Sequence, residues 1–413
     1  MRRGDLLALV LLVVLAMGAA LALTQAMITF EKTFGGREDD KGYSVIETKD
    51  GGYVIVGFTK SFGEVKGDVY LIKIDENGDK VWEKTFGGEG LDFGKSVIET
   101  KDGGYIIAGT TFSFGSGGED VYLIKTDSNG RKIWEKTFGG YGMDSGSSVI
   151  ETTDVGYIVV GKTAPFLSNN FDVYLIKVDS NGNKVWERTF GGEGYDSGNS
   201  VIETKDGGYL IAGLTESFGM GKVELPHWLA KESQSLFLLG KADIYLVKTD
   251  SKGNKIWEKT FGRFGNDSAK CVIATKDGGY IIVGVTTSLG KDGTDIYLIK
   301  TDSLGNRIWE KTFGGKGNDD GRSVIETNDG GYLITGWTES FGKGKWDVYL
   351  IKTDSNGRTI WEKTFGGREF DCGDSVIETK DGGYLIVGWT ESFGAGNSDV
   401  YLIKTDSKGN VIN

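Results

Sequence analysis

The residues best suited to binding chemistry are aromatic side chains at one variable position of a recurring DGGY-like motif. Five residues after the tyrosine of that motif stand Phe58, Trp337 and Trp389, where the other copies carry Thr, Lys, Leu or Val. Aromatic faces stack on the apolar faces of sugar rings, while carboxylates accept hydrogen bonds from sugar hydroxyls. The sequence therefore predicts a glycan- or protein-binding surface, the alternative being that each ring fills a gap between packed strands. The remaining aromatic candidates, at variable positions predicted to lie in loops, are Tyr43, Trp346 and Phe370, and the carboxylate candidates nearby in sequence are Glu339 and Glu391.

Catalysis of the Ser/His/Asp or Cys/His type is excluded by the histidine content. The chain has one histidine, His227, and it has no evident partners for a triad or a zinc site. We therefore predict no catalytic residue and no cofactor. The chemistry left for an enzyme is a carboxylate pair of the glycosidase kind, for which Asp320 and Asp374 are further acidic candidates. A carboxylate-dependent carbohydrate enzyme is thus one alternative to a binding module, and a structural cell-surface protein without a small ligand is another.

A 19-residue insertion in the fourth copy of the repeat, residues 222–240, is the second departure from regularity. It carries more apolar side chains than a solvated loop needs, and three of them are candidates for docking a partner. In the alternative interpretation the segment folds back and covers itself. The three candidates are Trp228, Leu229 and Phe237.

A sequence repeat predicts the β-strands that position these residues. The motif tyrosines lie at 53, 105, 157, 209, 280, 332 and 384, so the period is 52 residues except across the insertion. Each copy holds four short runs typical of β-strands, as in SVIET, YIIAG, VYLIK and KIWEKTF, separated by Asp- and Gly-rich turns. We expect the first three runs to be buried on both faces and the alternating fourth run to lie at an outer edge. Seven such units predict an all-β fold, a seven-bladed β-propeller.

The repeat also carries a family resemblance. YLIKTDSNGRKIWEKTF resembles the quinoprotein-like (PQQ-like) propeller repeat, and DGGYLIAG followed by DVYLIKTDSNG is similar to the delta-60 type of secreted propeller repeat. The resemblance covers all seven copies and implies the propeller fold. Quinoprotein enzymes hold their cofactor in an eight-bladed ring, so the resemblance does not imply that cofactor for a chain of seven copies.

The two ends of the chain complement each other. Arg2 and Arg3 precede an apolar run from Leu6 to Leu23, which indicates an export signal over residues 1–26, or an uncleaved membrane anchor, and an extracellular or cell-surface location. ITFEKTFGG, from Ile28, matches the fourth strand of a copy whose other strands are missing, whereas the last copy lacks its fourth strand. We therefore predict that residues 27–413 form one propeller, closed by its N-terminal strand.

The composition of the chain restricts the classes of partner that it could bind. A formal charge of −12 disfavours nucleic acid, and membrane contact is expected only through an uncleaved N-terminal segment. Two Pro and two Gln against many Lys and Glu favour a thermophile. Four aspartate positions recur in every copy; calcium is one hypothesis for them, but closure of turns and loops is the interpretation we prefer.

Overall fold

The computed structural model describes residues 28–64, 66–219, 242–290 and 292–412. These residues form seven four-stranded antiparallel sheets, one for each repeat. The first strands of neighbouring sheets contact one another all the way round, from β2 through β6, β10, β14, β18, β22 and β26 back to β2. The prediction of a seven-bladed β-propeller is therefore confirmed.

The strands of blades one to three are β2 (Asp40–Glu47), β3 (Tyr53–Thr59), β4 (Asp68–Ile74), β5 (Lys80–Phe86), β6 (Asp92–Glu99), β7 (Tyr105–Thr111), β8 (Asp120–Thr126), β9 (Lys132–Phe138), β10 (Met143–Glu151), β11 (Gly156–Ala164), β12 (Asp172–Asp179) and β13 (Lys184–Phe190). Those of blades four and five are β14 (Asp196–Glu203), β15 (Tyr209–Thr215), β16 (Asp243–Thr249), β17 (Lys255–Phe261), β18 (Asp267–Ala274), β19 (Tyr280–Thr286), β20 (Asp295–Thr301) and β21 (Arg307–Phe313). Blade six holds β22 (Asp319–Glu326), β23 (Tyr332–Thr338), β24 (Asp347–Thr353) and β25 (Thr359–Phe365), and blade seven holds β26 (Asp371–Glu378), β27 (Tyr384–Thr390), β28 (Asp399–Thr405) and β1 (Phe30–Phe34).

The ring is closed by strands from opposite ends of the chain. Strand β1 pairs antiparallel with β28, so that Phe30 lies opposite Lys404 and Phe34 opposite Val400. This is the closure predicted from the incomplete first and last copies. Without β1, the outer edge of β28 would be left unpaired.

Burial differs among the four strands of a blade, and for the first strand the sequence-based expectation was wrong. In blade one, β3 and β4 are buried at every residue, and β5 is the most exposed strand, as expected for an outer edge. Strand β2, however, alternates between buried and half-buried residues. The reason is its position, because β2 contacts β6 and β26 at the centre of the ring and lines the channel that the seven first strands enclose.

The core lies between blades. One cluster joins Val54, Val56, Val69 and Leu71 of blade one to apolar residues of blade two, and equivalent clusters follow round the ring. In six blades a tryptophan of the fourth strand extends this packing outward, as in the contact between Trp82 and Tyr105 of the next blade, whose ring centroids lie 6.2 Å apart. In blade seven the fourth strand carries Phe30 instead. These residues thus pack neighbouring blades together.

Candidate functional site

Four of the aromatic candidates meet on the face that carries the loops between blades, in a group we name the mouth cluster: Trp337, Trp346, Phe370 and Trp389. Trp346 is its centre, stacked on Trp337 with centroids 4.3 Å apart and edge-on to Phe370 at 4.7 Å and to Trp389 at 6.3 Å. A parallel β-bridge between Trp346 and Phe370 fixes these two loop residues side by side. The cluster therefore joins blades six and seven.

Exposure divides the cluster into a base and a surface. Trp337, in strand β23, is only 8% exposed and lies beneath Trp346. Trp346, Phe370 and Trp389 are half-buried. Trp337 thus supports the cluster, and the other three rings are the ones a ligand could contact.

Hydrogen bonds hold a carboxylate beside these rings. The Trp346 indole Nε1 donates to Oε1 of Glu339 over 2.8 Å, and the backbone and side-chain nitrogens of Asn318 donate to Oε2. Partial burial alone would raise the pKa of Glu339, but the hydrogen bonds from Trp346 and Asn318 outweigh it and lower that pKa. Glu339 is therefore an ionised, fixed acceptor. Glu391, in contrast, is an exposed residue whose backbone N–H donates to the carbonyl of Phe370.

Lysines cover two of the exposed rings. The ammonium of Lys41 lies 3.8 Å from the ring centroid of Trp389, and that of Lys345 lies 4.6 Å from the centroid of Phe370. Contacts of this kind at exposed sites contribute about 0.5–1 kcal/mol each. A ligand that stacks on these rings would displace flexible side chains rather than packed ones.

The two blade-one candidates lie apart from the mouth cluster. Phe58, in strand β3, is 5% exposed and stacks on Phe93 of blade two with centroids 4.6 Å apart. Tyr43 was assigned to a loop from the sequence, but it lies within strand β2 and its ring centroid is 3.7 Å from the ammonium of Lys95. Phe58 is therefore a packing residue here, and Tyr43 belongs to the channel.

Sequence reasoning named Tyr43 and Asp374 as candidates but missed that both belong to a second group of residues, at a β-bulge in every first strand. The pairing register of each first strand slips at one residue, which is left without a partner in the neighbouring strand. A bulge re-aims the extra side chain. The sequence does contain a sign of this position, because a residue that varies from copy to copy lies between Gly and Ser in six of the seven copies. The bulge residues are Tyr43, Lys95, Ser147, Asn199, Lys270, Arg322 and Asp374.

The acidic residues Asp320 and Asp374 both lie close to the guanidinium of Arg322. Arg322 Nε lies 3.2 Å from Oδ1 of Asp320, and Arg322 Nη1 lies 3.9 Å from Oδ1 of Asp374. Burial raises the pKa of Asp374, and the charge of Arg322 opposes that rise. These carboxylates flank a guanidinium and are in place to orient it.

The recurring aspartates close loops between blades. Asp120 accepts a hydrogen bond from the backbone N–H of Ser116, and Asp144 accepts one from that of Gly140, both over 2.9 Å. The two carboxylates flank Gly139, where a β-carbon would lie 2.4 Å from an oxygen of each and φ is +147°. Burial, together with the nearby charge of Asp144, raises the pKa of Asp120 to about 6. Within the described ranges, no group of three or more His, Cys, Asp or Glu side chains is arranged to hold a metal ion.

Some predicted features lie outside the described residues. These are the export segment, residues 1–26, and the insertion, residues 222–240, with its candidates Trp228, Leu229 and Phe237. In the part of the chain that is described, no helix is long and apolar enough to cross a membrane.

No protein-family model matches the chain. Over 236 residues it is 23% identical to the regulatory protein FlaEY of Caulobacter vibrioides, a match covering 51% of this chain and 24% of that protein. The matched region is thus about a quarter of the relative's length.

Among solved structures, the chain is similar to the Pan2 WD40 domain of Neurospora crassa, with a TM-score of 0.51 and 9% identity over 94% of this chain and 99% of that one. It is also similar to puromycin hydrolase, with a TM-score of 0.50 and 11% identity over 85% of this chain and 50% of that one. For BamB of Moraxella catarrhalis the TM-score is 0.41, with 12% identity over 90% and 85% of the two chains. At such identities the likeness to the Pan2 domain and to puromycin hydrolase concerns the fold alone, and it agrees with the seven four-stranded sheets of this β-propeller.

Proposed function

We propose that this protein is a binding module that recognises a glycan through the loop face of blades six and seven, beside blade one. The observation that carries the proposal is the mouth cluster, in which three half-exposed rings, with Trp346 at their centre, lie above the buried Trp337. Trp346 and Trp389 meet at an interplanar angle of 66°, so their faces form two walls of a shallow recess. Sugar rings stack on walls of this kind through their C–H faces.

The polar groups around the recess suit sugar hydroxyls. Glu339 is ionised and is held against Trp346 by a 2.8 Å hydrogen bond, so it can accept a hydrogen bond from a sugar hydroxyl without first being ordered. Lys41 and Lys345 supply donors beside the rings. Aromatic walls with a few fixed polar groups are the usual composition of a small-ligand site.

The test is a binding titration of polysaccharides against three forms of the protein. Trp346→Ala should lose binding, because the variant removes the centre of the cluster. Trp134→Ala is the matched control, since Trp134 packs on Tyr157 of the next blade and lies on an outer strand. Both variants should melt below the wild type, but only Trp346→Ala should lose saturable binding. Equal affinities for the wild type and Trp346→Ala would contradict the proposal.

A protein partner is the second candidate, favoured by an exposed apolar patch on blade three. Tyr141, Phe166 and Leu167 project from its loops, and Leu167 is 90% exposed. Tyr141 and Phe166 also line an open cavity of about 500 Å³. Exposed apolar patches mark interaction surfaces. A photo-crosslinking residue at Phe166 should capture a discrete partner, whereas the same group at the exposed outer-strand residue Val81 should not; capture of the same species at both positions would argue against this surface.

Export remains part of the proposal, supported by the apolar run from Leu6 to Leu23 after Arg2 and Arg3. Cell fractionation with N-terminal sequencing tests it. We expect the protein at the cell surface or in the medium, and full-length protein in the cytoplasm would contradict export.

A further inference from the structure

The bulge residues of six blades share one cavity in the central channel. The cavity has a volume of about 280 Å³, and its lining includes Tyr43, Lys95, Ser147, Lys270, Arg322 and Asp374. These residues come from blades one, two, three, five, six and seven, so the cavity spans the ring. None of them belongs to the mouth cluster, so an inference about this cavity is independent of the proposed glycan site.

Cations outnumber anions in this lining, although the whole chain carries a charge of −12. Three cations, Lys95, Lys270 and Arg322, face the cavity with one carboxylate, Asp374. Among these three cations, only Arg322 lies within ion-pair distance of a carboxylate, 3.2 Å from Asp320 and 3.9 Å from Asp374. Asp374 and Asp320 attract Lys95 and Lys270 from a greater distance. The channel is therefore a locally positive region of an acidic protein.

The two lysines lack polar partners among the residues that the structure describes. Lys95 contacts aromatic faces, with its ammonium 3.7 Å from the ring centroid of Tyr43 and 5.2 Å from that of Phe93. Lys270 has neither an ion pair nor a hydrogen bond within the described ranges. Burial lowers the pKa of Lys95 to about 8 and also lowers the pKa of Lys270. Charged groups that are partly desolvated and unpaired are stabilised by an anion placed between them.

The bulge explains why this charge can persist. A regular strand would alternate its side chains strictly between the two faces of the blade, where neighbouring blades bury them. The extra residue departs from that alternation and points into the channel. Its identity is therefore not constrained by packing between blades, and cations can accumulate at this level without disturbing the core.

We propose that the channel binds a small oxyanion, a carboxylate or a phosphate, between Lys95, Lys270 and Arg322. Arg322 is held in place by Asp320, whose Oδ1 lies 3.2 Å from its Nε, so its guanidinium is oriented before the ligand arrives. Lys95 and Lys270 provide point charges from blades two and five. The carboxylate of Asp374 opposes an anion, so it limits affinity and disfavours ligands that lack hydrogen-bond donors.

The test is calorimetric titration of the full chain, in about 50 mM salt, with citrate, inorganic phosphate, glucuronate and neutral glucose. Citrate or glucuronate should bind if the site takes carboxylates, and phosphate if it takes phosphates, while glucose should not bind. A Lys95→Gln/Lys270→Gln variant should lose at least tenfold in affinity for the best oxyanion. The matched control is Lys132→Gln/Lys184→Gln, which removes the same charge from exposed ion pairs on outer strands and should change affinity less than twofold.

A third variant keeps the proposal falsifiable if the double variant folds poorly. Asp374→Asn removes the opposing carboxylate and should raise oxyanion affinity by two- to tenfold, a gain that misfolding cannot produce. No saturable binding of any oxyanion to the wild type would overturn the proposal. Equal losses in the channel and outer-strand variants, or weaker binding by Asp374→Asn, would overturn it as well.

Discussion

Replacing Asp120 by asparagine should stabilise the protein at pH 8, and by only about half as much at pH 5. Asp120 is 2% exposed and faces Asp144 across Gly139. Its pKa is raised from 3.8 to about 6, so the folded state binds this proton more tightly than the unfolded chain does. The corresponding stability is fully present below about pH 4 and is lost as the pH rises through about 6.

The magnitude follows from the shift. About two pKa units at 1.36 kcal/mol each make the ionised site about 3 kcal/mol less favourable to folding at pH 8 than the protonated site. An unfolding entropy of about 2.1 cal/mol/K per residue converts this into a change of roughly 3–4 °C in melting temperature for a chain of this length. In the variant, the asparagine oxygen can still accept from the N–H of Ser116, and its amide can donate to Asp144.

The assay is thermal unfolding of the wild type and Asp120→Asn at pH 5 and pH 8. Asp292→Asn, at an exposed loop residue, is the control for the loss of one charge and should melt with the wild type at both pH values. A variant that melts at the wild-type temperature at pH 8 would refute the reasoning. The same scans with EDTA and with calcium test the alternative, because a Ca²⁺ ion held by the two carboxylates would make the wild type the more stable form at pH 8.

Three further substitutions probe closure, the blade interior and the inter-blade loop. Phe30→Ala, in the closing strand, should lower the free energy of unfolding by about 3–5 kcal/mol, and an unchanged denaturant midpoint would contradict a role in closure. Lys125→Met removes the buried ammonium that donates to Asp102 over 2.7 Å, but Asp102 is open to water, so the loss should be only about 1–2 kcal/mol. Hydrogen bonds from Lys125 and Thr100 outweigh desolvation and lower the pKa of Asp102 to about 2. The stabilisation that these hydrogen bonds provide is lost as the pH falls from about 4 through 2. The free energy of unfolding of Lys125→Met, monitored by circular dichroism, should therefore depend less on pH in that range than that of the wild type. Gly139→Ala should lower the melting temperature more than Gly140→Ala, because a β-carbon at 139 meets two carboxylate oxygens and one at 140 meets no atom within 4 Å; equal melting temperatures would refute the crowding.

Much of the fold could be predicted because each blade repeats the same local pattern. The 52-residue period, the strand-like runs and the complementary ends together specify seven blades and their closure. The burial of the first strand could not be predicted in the same way. SVIET was grouped with the central strands although only Val and Ile in it are apolar, and it is the closed ring that reveals that the first strands line a channel rather than pack on both faces.

The candidate site could be predicted in part. Internal comparison of the seven copies found Trp337 and Trp389 at equivalent positions, and it found Trp346 and Phe370 in neighbouring loops. Their separation into a buried base and an exposed surface depends on contacts across blades, as in the stacking of Trp346 on Trp337. Phe58 is buried for the same kind of reason, because Phe93 of the next blade covers it. No local pattern encodes such contacts between residues of different blades.

The channel residues were missed because a bulge breaks the rule by which strand residues are assigned to faces. Because side chains alternate with a period of two, a single extra residue exchanges the inward-facing and outward-facing side chains of a strand. Tyr43, which varies among the copies, was predicted to lie in a loop for want of this information. The seven bulges all occur at the same point, so the backbone is repeated even though the side chains are not.

Repetition of the backbone explains why the two proposed sites lie where the copies differ. A position used for packing must satisfy the same neighbours in every blade, so its residue type repeats. A position that faces the channel or the loop surface has no such neighbour and can differ in each copy. The mouth cluster draws on the adjacent blades six and seven, whereas the channel cations come from blades two, five and six and meet only across the ring. The oxyanion site therefore depends on the closed circle as a whole, and the pairing of β1 with β28 stabilises the fold and also holds these cations around one cavity.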